Sequence, residues 1–206
     1  MRLLLINNRP RHCGIGEYTF SLFDALKSLI GDDAELLSWK SEVIEKIYSK
    51  VRERYILQYP EEALRILSQL IFLLRIPRGY SLYHFTNSSL SIAAKRTQPC
   101  VVTVHDLITF SSPRDTTDRL IQKSMQSLKH VQRIICVSDK TRNDLLHFLD
   151  VDPERVKTIY EGVNHTLFQP RDKAKCREIL GLAPKKLLVL HVGSEEPRKN
   201  IPTLIN

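Results

Sequence analysis

Val101-Val102-Thr103-Val104-His105-Asp106 is the stretch on which the reading of the fold turns. Its first four residues are β-branched and uncharged. Such a run suits a strand buried on both faces, the habit of parallel sheets covered by helices. His105-Asp106 then stands just past the carboxyl end of the strand, where open α/β sheets bind their ligands. A histidine there can donate to developing charge or shuttle a proton near neutral pH. The competing reading is a histidine that only caps a loop, with Asp106 as a turn residue.

The same alternation of short apolar runs and amphipathic stretches extends outward on both sides. Toward the amino terminus, Leu82–Phe85 reads as a strand followed by a short helix over Ser88–Lys95. Two helices are expected before it. One spans 41–59, with Ile44, Ile47, Tyr48, Val51 and Tyr55 at helical spacing; the other spans 61–75, with Leu64, Leu67, Ile71 and Leu74, and ends before Pro77 and Gly79. Ala34–Ser38 is a strand, and Gly16–Ile30 a helix with Tyr18, Leu22, Leu26 and Leu29 on one stripe. Leu3–Ile6 is the first strand.

Toward the carboxyl terminus, an irregular stretch over Leu107–Asp115 leads to a helix over Thr116–His130. A strand Arg133–Val137, a helix Lys140–Leu149 and a strand Val156–Tyr160 follow. Glu161–Arg171 is turn and linker, with Gly162 expected at positive φ, and Lys173–Leu180 is a short helix. Leu187-Leu188-Val189-Leu190 is the last strand. The pattern predicts an α/β protein: a six-stranded Rossmann-like parallel sheet over residues 1–170, then the opening βα segment of a second Rossmann-like domain over 171–206.

Bulk composition narrows the classes. At 206 residues the chain holds one domain or one and a fraction, and its 42% apolar content allows a real core rather than a disordered chain. A formal charge of +8 favours anionic partners: nucleotide phosphates, acidic lipid surfaces or nucleic acid. No aromatic-basic single-strand signature is present, so nucleic acid is not expected. Lys46, Lys50, Arg52 and Arg54 make the 41–59 helix basic. It reads either as a membrane-surface element or as a helix packed on the sheet with a solvated face, with Glu42, Glu45 and Glu53 diluting the charge. Cys13, Cys100, Cys136 and Cys176 form no C-x-x-C pair, which argues against a zinc site and for a reduced, cytosolic setting. The apolar run after Met1-Arg2 is too short for a signal peptide, and no run approaches a membrane span.

Three further segments carry chemistry. Arg9-Pro10-Arg11-His12-Cys13-Gly14-Ile15-Gly16 joins the first strand to the first helix, where glycines let backbone approach an anion at the helix N-terminus. It is neither G-x-G-x-x-G nor a P-loop, and a tight turn that needs glycine explains it equally well. Ser138-Asp139 is first of all an N-cap. His191-Val192-Gly193-Ser194-Glu195-Glu196-Pro197-Arg198-Lys199-Asn200 places two cations after a strand and a glycine turn, at the opening of a helix. Such a place suits a diphosphate, whose charge fixed cations offset as a bond breaks. The bland alternative is a pair of solvated cations in a loop.

Taken in order, these segments resemble the nucleotide-sugar glycosyltransferases of family 4, with the GT-B fold. The matching pieces are Gly14-Ile15-Gly16-Glu17-Tyr18-Thr19, Val102-Thr103-Val104-His105-Asp106-Leu107, Ile134-Ile135-Cys136-Val137-Ser138, Tyr160-Glu161-Gly162-Val163-Asn164 and Val192 to Asn200. The resemblance implies two Rossmann-like domains with the active site between them, donor mostly on the C-terminal one and acceptor on the N-terminal one. It implies a retaining transfer from a nucleotide sugar, such as GDP-mannose or a UDP-sugar, with no metal or other cofactor. By resemblance, Gly14, Gly16, Ser194, Arg198 and Lys199 face the donor diphosphate. His105 is the catalytic histidine near the transferred sugar, and Asp106 lies on the acceptor side. The expected acceptor is a glycan or lipid-linked molecule, and the expected location is cytoplasmic, with peripheral contact to an anionic membrane.

The sequence departs from the pattern in three places. Ser194 stands where many members carry Arg, Asn164 where Asp is common, and the paired glutamates downstream of the Lys199 position have no counterpart. The chain is therefore expected to be truncated after the start of the second domain and to turn over little alone. The rival reading is a non-catalytic Rossmann-like module that holds an acidic lipid or a protein partner.

Overall fold

The computed structural model describes residues 1–38, 71–107, 119–193 and 199–205, with backbone alone at 119–121. The expected helix over 41–59, most of the one over 61–75 and the start of the one over 116–130 lie outside the described residues; 71–74 are helical. Two compact units are present, 1–161 and 162–206.

The first unit is one parallel sheet with helical connections. Its strands are β1 (Leu3–Asn7), β2 (Ala34–Ser38), β3 (Leu82–Phe85), β4 (Cys100–Val104), β5 (Arg133–Cys136) and β6 (Val156–Thr158). They lie in the order β2-β1-β3-β4-β5-β6. Every residue of β1 is buried, and Val102 and Val104 of β4 are wholly so. That explains their largely apolar, uncharged sequence: a strand covered on both faces has no solvent side to present. β6 stops two residues earlier than expected, although the Ile159 N–H still donates to the Cys136 carbonyl at 2.9 Å.

Helix α1 (Gly14–Ile30) starts two residues before the predicted point, because the Cys13 sulfur caps it by accepting from the Gly16 N–H at 3.4 Å. It ends at Gly31, whose φ of +58 suits a residue with no side chain. Of the expected stripe, Leu29 is exposed; the positions pressed hardest on the sheet are Gly16 and Thr19, where small side chains let the helix come close. Ser88–Lys95 is a 3-10 helix, and α2 (Arg119–Ser127) runs into a 3-10 turn at Leu128–His130. Helix α3 (Asp139–Phe148) is capped as expected by Ser138, whose Oγ accepts from the Thr141 N–H at 3.1 Å. One core cluster joins Ile6, Phe85, Val102, Ile134 and Leu145 across the strands and onto α3.

The second unit holds α4 (Lys173–Ile179), capped by Asp172 and closed by Gly181 at φ +64, and α5 (Ile201–Ile205). Two expectations fail here. Leu187–Leu190 is not a strand; it is irregular, and no residue of it is buried. The second unit holds no strand among its described residues, and without one this backbone has no ladder to join there. Gly162 does not take positive φ, because the chain leaves β6 without a turn there. The bend falls instead at Asn164, whose Oδ1 accepts from the N–H groups of Thr166 and Leu167 at 3.0 and 3.1 Å. Among the described residues no helix is long and apolar enough to cross a membrane.

Candidate functional site

The strand order reverses between β1 and β3, because β2 lies on one side of β1 and the later strands on the other. In open parallel sheets the carboxyl ends at such a reversal form a crevice for ligands. The segments that leave β1, β3 and β4 there hold the residues singled out above.

After β1, the wholly buried Asn7 folds the chain back: its Nδ2 donates to the Arg9 carbonyl at 2.7 Å and its Oδ1 accepts from the Arg9 N–H at 2.9 Å. The Pro10 carbonyl accepts from the Cys13 N–H, and α1 opens. The two glycines of this loop differ in their reasons. A Cβ at Gly16 would lie 1.8 Å from the Pro10 carbonyl oxygen, so packing alone demands glycine. A Cβ at Gly14 would meet nothing within 4 Å. Gly14 is exposed, and at the N-terminus of a 17-residue helix its backbone is open to an anionic group.

After β3, Thr86 ties three elements together. Its N–H and Oγ1 both donate to the Ile6 carbonyl, at 3.0 and 3.1 Å, and its Oγ1 accepts from Thr19 Oγ1 of α1 at 2.8 Å. Its own carbonyl faces His105.

After β4, the His105 carbonyl accepts from Thr141 Oγ1 of α3 at 3.1 Å, which fixes the backbone. The ring is held at both ends. Nε2 lies 2.9 Å from the Thr86 carbonyl, and Nδ1 lies 2.9 Å from Glu161 Oε1. A carbonyl only accepts, so Nε2 is the donor in its contact with Thr86. Tyr18 packs edge-on against the ring, with centroids 4.9 Å apart. The His105 side chain is only 12% exposed, whereas Glu161 is 46% exposed.

A layer of polar groups backs this ring. Thr103 Oγ1 meets the Tyr18 hydroxyl at 3.0 Å and His84 Nε2 at 2.9 Å. Burial, followed by repulsion from His105, pushes the His84 pKa down to about 4, so the ring is neutral at physiological pH. Burial raises the Tyr18 pKa, and the Glu161 charge adds to that against the Thr103 hydrogen bond. The Cys100 and Cys136 thiols, on β4 and β5, are pushed up to about 11 by burial and are inert small hydrophobes. All four cysteines are free.

Thus Gly14, Gly16 and His105 lie at the carboxyl edge of the first unit, and Asp106 beside them is exposed. Lys199 is an exposed residue of the second unit. Ser194 and Arg198 lie outside the described residues. Glu161, Tyr18 and Thr86 were not singled out by the sequence. Glu161 read as turn chemistry and Tyr18 as one position of an apolar stripe. A carboxylate directly after a strand, at the same edge as a candidate histidine, was the available signal for Glu161.

Residues 14–167 match Glycosyltransferase Family 4. D-inositol 3-phosphate glycosyltransferase 2 of Catenulispora acidiphila is 34% identical over 85 residues, which is 41% of this chain and 20% of that protein. O-antigen chain mannosyltransferase B of Escherichia coli is 30% identical over 133 residues, 60% of this chain and 33% of that protein. The crystal structures of Anabaena HepE with UDP and with UDP-glucose align over 88% of this chain and 50% of theirs. Their TM-scores are 0.55 and 0.54, at 17% and 18% identity. That likeness shows a shared fold. The chain spans a fifth to a third of the length of these two curated relatives and half that of the HepE structures. The family match covers well over half of the residues, and the chain belongs to Glycosyltransferase Family 4.

Proposed function

We propose that this chain is the acceptor-side portion of a glycosyltransferase that moves a sugar from a nucleotide-sugar donor to a glycan or lipid-linked acceptor with retention of configuration, and that it needs no metal. One observation carries the reading. His105 stands at the carboxyl end of β4 beside the reversal of strand order, held between the Thr86 carbonyl and the Glu161 carboxylate. A ring so fixed can sit against a bound sugar in one set orientation, with no reorganisation needed at the moment of transfer.

The remaining roles follow the resemblance. By that resemblance Gly14, Gly16, Ser194, Arg198 and Lys199 are donor-diphosphate residues and Asp106 is an acceptor-side residue. UDP and UDP-glucose in the HepE structures support a UDP-sugar donor, and the mannosyltransferase relative supports a mannosyl donor such as GDP-mannose. The setting is the cytoplasmic face of an anionic membrane. Residues 1–206 alone would turn over little, because the second unit holds no paired sheet among its described residues.

The test uses radiolabelled UDP-glucose and GDP-mannose with a glycolipid extract. A longer protein containing this chain should transfer label, and His105→Ala should lower kcat by about 10²- to 10⁴-fold. Transfer at the wild-type rate by the His105→Ala variant would sink the reading. Robust transfer by the 206-residue chain would sink the expectation that it turns over little alone.

A further inference from the structure

Glu161 reaches His105 from two strands away. β4 and β6 are separated by β5, so the carboxylate closes over the end of β5 to meet the ring. Thr86 approaches from the other side, beyond β3. The imidazole is therefore clamped from both flanks of its own strand. Only one jaw is a side chain: the Thr86 contact is a backbone carbonyl that no substitution removes.

We propose that Glu161 is the positioning residue for His105, setting the orientation of the ring without contributing much to the stability of the fold. This rests on the glycosyl-transfer reading above for its kinetic consequence. Three observations support it. Both ring nitrogens are engaged at 2.9 Å, so rotation about the Cβ–Cγ bond breaks two hydrogen bonds while Glu161 is present and one when it is absent. The Tyr18 contact is edge-on, which is compatible with more than one rotation of the imidazole. Glu161 is nearly half exposed, and a polar contact made by so exposed a side chain contributes little to folding.

The acceptor oxygen, rather than the full charge, does the positioning. Glu161→Gln keeps an amide oxygen at the same reach and should keep the ring in place. Glu161→Asp withdraws the carboxylate by one methylene, about 1.5 Å, and should not. Glu161→Ala removes the jaw.

The experiment has a structural arm and a kinetic arm, both on the longer protein containing this chain. In crystal structures, the His105 ring should turn away from the Thr86 carbonyl in Glu161→Ala and stay within hydrogen-bond reach of it in Glu161→Gln. A ring that keeps its orientation in Glu161→Ala overturns the proposal, whatever the activity. In kinetics, Glu161→Ala should lower kcat about 10- to 100-fold with little change in donor KM. Glu161→Gln should recover most of that loss, and thermal midpoints should stay close to wild type. In a His105→Ala background, Glu161→Ala should cost less than about 2-fold more, since a residue acting through another has nothing left to act on. A full, additive loss in that background overturns the proposal. A wild-type protein that transfers no sugar would sink the glycosyl-transfer reading while leaving the structural arm to decide this one.

Discussion

Cys100–Val104 and Leu187–Leu190 are both short, uncharged, apolar runs bounded by turn signals, yet only the first is a strand. β4 pairs in parallel register with β3 on one side and β5 on the other, and Cys100, Val102 and Val104 are completely buried. The run at Leu187–Leu190 has no ladder partner among the described residues, and its side chains are between 53% and 92% exposed. An apolar run states that a segment needs burial and neighbours. Whether it becomes a strand depends on chain elsewhere that supplies N–H and C=O groups at the right spacing.

The sharpest way to break that contrast is to truncate one residue of the buried sheet and one of the exposed run. Phe85→Ala, in the wholly buried β3 side chain, should destabilise the first unit by about 3–5 kcal/mol, whereas Leu188→Ala should change stability by less than about 0.5 kcal/mol. Denaturant unfolding of both variants checks this. A comparable loss from Leu188→Ala would show that the exposed run packs against something after all.

Acid probes the buried side of the contrast. The folded-state pKa of His84 is lowered to about 4 from 6.5, so between those values the unfolded chain binds the extra proton and the folded chain does not. Stability from this group is complete above about pH 6.5 and drains away as pH falls toward 4, to a total of at most about 3 kcal/mol. Unfolding curves recorded across that window should show the loss, and His84→Gln should flatten it. An unchanged slope in the variant would mean that other groups carry the acid sensitivity.

The smallest effect separates two glycines two residues apart. Gly16→Ala should cost about 1–3 kcal/mol, because the new methyl meets the Pro10 carbonyl. Gly14→Ala, in open space at the start of α1, should be neutral or stabilise by up to about 0.5 kcal/mol. The same pair sharpens the functional reading. A Gly14→Ala variant that folds normally but binds UDP or GDP more weakly would assign Gly14 to the ligand rather than to the turn.

Much of the architecture was legible in the sequence. Leu3–Ile6, Ala34–Ser38, Leu82–Phe85 and Val101–Val104 lie within one residue of observed strand ends; the inner strands β1 and β4 were plainest, because covered strands are mostly apolar. Ser138 announced its cap through its position before a helical pattern. His105 was visible because a histidine just past the carboxyl end of a buried strand stands where open α/β sheets bind their ligands. Tyr18 and Thr86 were not visible: the same letters serve equally well as stripe and turn, and nothing local distinguishes them.

The amino-acid sequence by itself determined the layered α/β plan, the cap at Ser138 and the location of His105, because these depend on the chemistry of neighbours a few positions apart. Only the tertiary structure decided that Gly16 answers to Pro10, that Leu187–Leu190 stays irregular, and that Glu161 meets a ring 56 positions away in the chain. Those outcomes depend on which backbone atoms arrive within about 3 Å of one another across the sheet, and hydrogen bonding at that range is set by register and strand order rather than by spacing along the chain.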